Sequence, residues 1–81
     1  MPHFVYLLRC ADNSLYCGYT SNLENRVAAH NSGSGSKYVR ARRPAKLIYS
    51  ERLPNKSAAL KRELAIKSFS KKKKELLAES E

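Results

Sequence analysis

The chain has 81 residues, and its 16 lysines and arginines against seven aspartates and glutamates give a net charge of +9. A chain this short buries only roughly 60–65 % of its unfolded surface, which excludes a second domain and makes residues 1–81 a single domain with a thin core. No apolar run approaches the roughly 18 residues needed to span a bilayer, and Met1-Pro2-His3 begins no signal-peptide pattern, so the expectation is a cytoplasmic protein with no membrane partner.

Residues 4–10 and 15–20 are rich in aromatic and bulky apolar side chains, and Ala11-Asp12-Asn13-Ser14 lies between them, which predicts a β-hairpin. Asp and Asn tolerate the left-handed backbone that tight hairpin loops need. Loop parity decides where the tyrosines go. A three-residue loop would pair Cys10 with Tyr16 and Tyr6 with Thr20, leaving Tyr6 and Tyr16 on one face, whereas a two-residue loop would separate them. If the tyrosines share a site, the loop is odd or a bulge does the same job. The two thiols, Cys10 and Cys17, read as reduced, half-buried strand residues, and no Cys/His spacing of the zinc-binding kind is present.

Ser21 as N-cap with Glu24 three residues later predicts a capping box and a helix to about His30, stopped by Asn31-Ser32-Gly33. Leu23 and Val27 mark its inner side, while Arg26 and His30 form an adjacent i,i+4 stripe. The Gly/Ser tract 32–36 reads as a mobile surface loop, residues 37–43 as a basic loop ending at Pro44, and residues 46–51 as a third strand. A second helix is expected over about 56–69, and a short last one over about 71–78, capped by Ser70 but opposed by four lysines at the positive end of its dipole. Glu63 stands on the inward stripe of the second helix, where a carboxylate is costly without a cation or metal partner.

Phosphodiester hydrolysis needs a base for water, a cation at the non-bridging oxygens, and stabilisation of the leaving alkoxide. Tyrosines, an arginine and a carboxylate-held divalent metal can supply these. One carboxylate suffices for Mg2+, which keeps several waters and takes further ligation from substrate phosphate.

With these residues in view, the chain resembles the GIY-YIG endonuclease superfamily. Phe4-Val5-Tyr6 and Tyr16-Cys17-Gly18 stand where the two name-giving blocks fall, and Arg26 and Glu63 follow at suitable distances. It most resembles the small stand-alone bacterial members, with His30-Asn31-Ser32-Gly33, Lys37-Tyr38 and the stretch 59–67 in pattern; the likeness covers about residues 3–75. It is also similar to the nuclease domain of eukaryotic endonucleases that cut branched DNA. The resemblance implies an α+β fold with a three-stranded antiparallel sheet flanked by helices, and hydrolysis with one Mg2+ or Mn2+. It further implies that Tyr6 and Tyr16 orient or deprotonate the attacking water, that Arg26 binds the scissile phosphate, that His30 assists proton transfer, and that Glu63 holds the metal. Phe4 replaces the first glycine of the family name, Tyr19 stands where many members have a lysine, and Glu75 falls near an asparagine of some members. Losing that lysine removes one means of lowering a tyrosine's pKa.

The charge is unevenly placed. Residues 1–36 sum to zero, residues 37–74 carry fourteen basic side chains against two acidic ones, and the last seven residues contribute three negative charges. Lys37, Arg40, Arg42, Arg43 and Lys46, interleaved with Tyr38, are candidates to contact a phosphate backbone, with Lys56, Lys61, Arg62 and Lys67 extending the surface. The run Lys71 to Lys74 reads as a solubilising face. Nothing reads bases directly, so the expected partner is DNA recognised by backbone or shape, with a protein partner a further source of specificity. Two alternatives stay open: a silent or weakly cutting DNA-binding module of the same fold, and a small basic RNA- or ribosome-associated protein.

Overall fold

The computed structural model describes residues 2–79. Strands β1 (His3–Arg9), β2 (Leu15–Thr20) and β3 (Lys46–Leu53) form an antiparallel sheet in the order β2-β1-β3, and helices α1 (Leu23–Ser32), α2 (Lys37–Arg40), α3 (Lys56–Lys67) and α4 (Lys71–Glu79) flank it. This is the expected fold class.

The hairpin has the expected parity with a different register. Tyr6 lies opposite Gly18 and Leu8 opposite Tyr16, so the two tyrosines share a face, two residues away from the expected Tyr6–Thr20 pairing. Pairing continues into the loop, where the Cys10 N–H donates to the Ser14 carbonyl at 2.9 Å, leaving Ala11 to Asn13 as a three-residue turn. Asn13 closes it in the left-handed region, at φ 69°. Between β1 and β3 the register slips by one beyond Leu7, so that consecutive Ile48 and Tyr49 both pack into the same core cluster.

Strand alternation divides the core into two clusters. Val5, Leu7 and Cys17 face α3 and pack with Tyr49, Ala59 and Ile66, while Leu77, Ala78 and Phe69 cover that cluster from α4 and its approach. Tyr6, Leu8 and Cys10 face the opposite way and pack with Val39, Ala45, Tyr16, Leu23 and Val27 under α1 and α2. Leu77 docks whereas Leu76 stays exposed, so one leucine of the pair secures α4, together with the Arg9–Glu75 double ion pair to β1.

Several expected details differ. The N-cap of α1 is Asn22, whose side chain accepts from the Asn25 N–H at 3.0 Å, and not Ser21; the Thr20 hydroxyl accepts from the Asn22 N–H and so sets where the helix starts. The basic segment 37–43 is not all loop: Ser36 caps a four-residue helix at the Val39 N–H. The Gly/Ser tract is tied down by Gly33 in the left-handed region (φ 94°) and by Ser32 and Ser34 hydroxyls donating to the Ala29 carbonyl. Strand β3 runs two residues further and α3 ends two residues earlier than expected. Among the described residues no helix is long and apolar enough to cross a membrane.

Candidate active site

The tyrosines of the hairpin meet because the residue between them on that face has no side chain. Tyr6 and Tyr16 ring centroids lie 6.4 Å apart, and a Cβ on Gly18 would fall on the Tyr6 hydroxyl, 2.7 Å from its Cζ and 3.1 Å from the Tyr16 ring. Any larger residue at position 18 displaces both rings.

Helix α1 brings Arg26 and His30 to the same place, one turn apart. His30 Nε2 and the Tyr6 hydroxyl share a hydrogen bond of 2.8 Å, and Arg26 Nε makes a longer contact of 3.4 Å to the same oxygen. His30 is fully buried, and its Nδ1 is the one buried side-chain polar atom among the described residues without a partner. With Nε2 bare, the Tyr6 hydroxyl donates to it and Nδ1–H is the buried proton without an acceptor; with Nε2–H donating, the phenol proton lacks an acceptor instead and the Tyr6 oxygen receives two donors, the arrangement that favours a phenolate. Burial opposes this more strongly and raises the Tyr6 pKa above its ordinary value, although Arg26 pulls it down. Burial, aided by the Arg26 charge, lowers the His30 pKa, so the imidazole is neutral at pH 7.

The imidazole is roofed by Gly35. A Cβ there would fall on His30 Nδ1 and come within 2.7 Å of Cγ, so the Gly/Ser tract seals the ring from water. Tyr16 meets the His30 ring edge-on at 5.1 Å and stacks with Tyr38 at 6.0 Å and 28°. Arg42 lies 3.9 Å from the Tyr38 ring centroid and donates to Asp12 on the hairpin loop. Asn31 ties the end of α1 to the start of β3, accepting from the Ala45 N–H at 2.7 Å and donating to its carbonyl at 2.9 Å.

Glu63 is buried on α3 between Ala59 and Ile66, as its stripe position predicted. That helix packs on the sheet face opposite Tyr6, and the carboxylate pairs with Lys67 at 3.5 Å. It lies near enough to β2 to act on the buried Cys17 thiol, whose pKa desolvation first, and the Glu63 charge second, push up to about 11. Among the described residues no three His, Cys, Asp or Glu gather into a ligand cluster. A lone carboxylate with one loose ion pair fits a hard, largely hydrated Mg2+ or Mn2+ that completes its shell from substrate, and not a cation needing an all-protein cage.

A family model described as the GIY-YIG catalytic domain matches residues 2–75. The chain belongs to the GIY-YIG family. Among relatives, the UPF0213 protein of Natronomonas pharaonis is 54% identical over 79 residues, covering 98% of this chain and 93% of that protein. The UPF0213 protein of Staphylococcus haemolyticus is 53% identical over 72 residues, covering 89% and 88%. The solution NMR structure of the UPF0213 protein of Bacillus halodurans superposes with a TM-score of 0.64 at 41% identity, over 100% of this chain and 86% of that one. A protein of E. faecalis superposes with a TM-score of 0.66 at 39% identity, over 99% and 85%.

Within this GIY-YIG fold the basic candidates separate. Lys37, Tyr38 and Arg40 lie on α2, beside the tyrosine cluster. Arg42 and Arg43 hold the segment together, Arg43 donating to the Arg40 and Asn31 carbonyls. Lys46 opens β3 and is exposed, while Lys56, Lys61, Arg62 and Lys67 belong to α3. Arg62 is engaged in a fork with Glu51, which also accepts the Tyr49 hydroxyl, so it serves the opposite core first. Sequence reasoning overlooked Gly35, which lies in the tract 32–36 that composition marks as loop, and took Asn31 as part of the helix stop without its tie to Ala45.

Proposed function

We propose that this GIY-YIG protein is a metal-dependent DNA endonuclease that hydrolyses phosphodiesters without sequence specificity and tolerates a range of DNA structures. The observation that carries the reading is the convergence of Arg26 and His30 on one buried phenol oxygen, that of Tyr6, with Tyr16 beside it. Arg26 binds a non-bridging oxygen of the scissile phosphate, since a guanidinium at 3.4 Å from a neutral phenol keeps its charge for an anion. Tyr6 and Tyr16 orient or deprotonate the attacking water, whose oxygen forms the new bond to phosphorus as the bond to the leaving alkoxide breaks. Neutral His30 fixes Tyr6 and assists proton transfer by accepting the phenol proton at a bare Nε2 as the phenol oxygen takes one from the water, and Gly35 keeps bulk water from its other nitrogen. Glu63 would hold Mg2+ or Mn2+, which when bound supplies Lewis-acid stabilisation of the phosphoryl charge.

Backbone recognition accords with the positive charge of residues 37–74, within which Tyr38 stacks on Tyr16 and Lys37 and Arg40 share its short helix. The reading takes residues 1–81 as one such unit, acting in the cytoplasm, with specificity supplied by a protein partner. The test is cleavage of labelled duplex, flap, fork and single-stranded DNA with Mg2+ or Mn2+, run beside Glu63→Ala. Metal-dependent cutting lost in the variant supports the reading; tight binding without cutting by either protein replaces it with a silent DNA-binding module.

A further inference from the structure

The run Lys71 to Lys74 looks like a solubilising face in sequence, yet the fold treats its members differently. Lys71 and Lys74 line a cleft of about 200 Å3 together with Ser14 and Leu15 of the hairpin and Tyr38 of α2. Lys74 is half-buried there, whereas Lys71, Lys72 and Lys73 are exposed, Lys73 lying over the Phe69 ring at 4.0 Å. The nearby carboxylates do not neutralise the cleft. Asp12 on the hairpin loop is paired with Arg42, and Glu75 is gripped by both terminal nitrogens of Arg9, with Lys71 in a longer pair at 3.9 Å.

The cleft is contiguous with the tyrosine cluster, because Tyr38, one of its walls, stacks on Tyr16. Leu15, another of its walls, opens β2, an edge strand of the sheet. No carboxylate stands in the first turn of α4, where lysines oppose the helix dipole, so the helix tolerates a local electrostatic cost that a bound anion would relieve.

We infer that the cleft formed by Lys71, Lys74, Tyr38 and the hairpin tip binds a backbone phosphate of the DNA strand next to the scissile one, leading that strand across the β2 edge. The inference rests on the endonuclease reading and names the path its substrate takes. Two ammonium groups suit a phosphate diester, and a backbone contact of this kind carries no sequence information directly.

The test compares two isocharged double variants, Lys71→Gln with Lys74→Gln and Lys72→Gln with Lys73→Gln, in binding of fluorescent duplex DNA without divalent metal across a salt series. The first pair is expected to weaken binding at least tenfold and to reduce the slope of log K against log salt by about 0.9, the value for one lost phosphate contact. The second pair is expected to leave both near wild type. Equal effects of the two pairs, or none from the first, overturn the inference while wild-type cleavage leaves the nuclease reading standing. A wild-type protein that neither binds nor cuts DNA overturns both.

Discussion

The two faces of the sheet are built from alternate residues of the same strands and yet have opposite chemistry. On the α3 side, Val5, Leu7, Ala59 and Ile66 make an apolar core in which Tyr49, Glu51 and Arg62 satisfy one another and Glu63 keeps a single loose pair with Lys67. On the α1 side, a tyrosine, a histidine and two glycines occupy the equivalent depth, and one imidazole nitrogen is left without a partner. A chain this small retains an unsatisfied polar group at a cost to its stability. One face holds the molecule together, and that lets the other carry polar groups poised on a single oxygen.

Substitutions on the two faces should therefore separate activity from stability. Gly18→Ala is expected to reduce cleavage about 10²-fold, because a methyl at the Tyr6 hydroxyl displaces the reacting geometry by around an ångström; cleavage rates at matched folded concentration check this. On the other face, Ile66→Ala should cost about 2–5 kcal/mol of unfolding free energy, read from urea titrations, with little change in cleavage per folded molecule. An Ile66→Ala protein that remains as stable as wild type would break the contrast.

Smaller effects sharpen it. The His30 pKa is lowered in the folded protein, so the unfolded chain takes up the proton first on acidification. Stability should be full above pH 6.5 and fall as pH drops through that ordinary value toward the lower folded one, and Tm against pH should flatten over this window in His30→Gln. Arg62→Gln, which breaks a partly exposed pair with Glu51, should lower stability by only about 0–1 kcal/mol and leave cleavage unchanged.

Much of this contrast was legible in residue order. An odd-length loop puts Tyr6 and Tyr16 on one face and an even one separates them, so their meeting was readable only as conditional on the loop. The register itself depended on whether pairing continues through Cys10 and Ser14, a choice set by Asn13 adopting the left-handed conformation rather than by the strand pattern. Ser21 and Asn22 are both good caps, and the Thr20 hydroxyl decided between them. Glu63 was readable as inward from its helical spacing, but the side of the sheet on which α3 packs is a property of the topology. The Gly/Ser tract misled because composition reports flexibility in an isolated chain, whereas here Gly35 is required flat against His30.

Arg26 tests the account most directly, since it is only partly buried, yet it stands beside the oxygen on which the site converges. The measurement is the rate of Mg2+- or Mn2+-dependent DNA cleavage by Arg26→Ala together with its Tm. A catalytic face predicts a fall of about 10²–10³-fold with Tm within a few degrees of wild type; a variant that cleaves at the wild-type rate would contradict it.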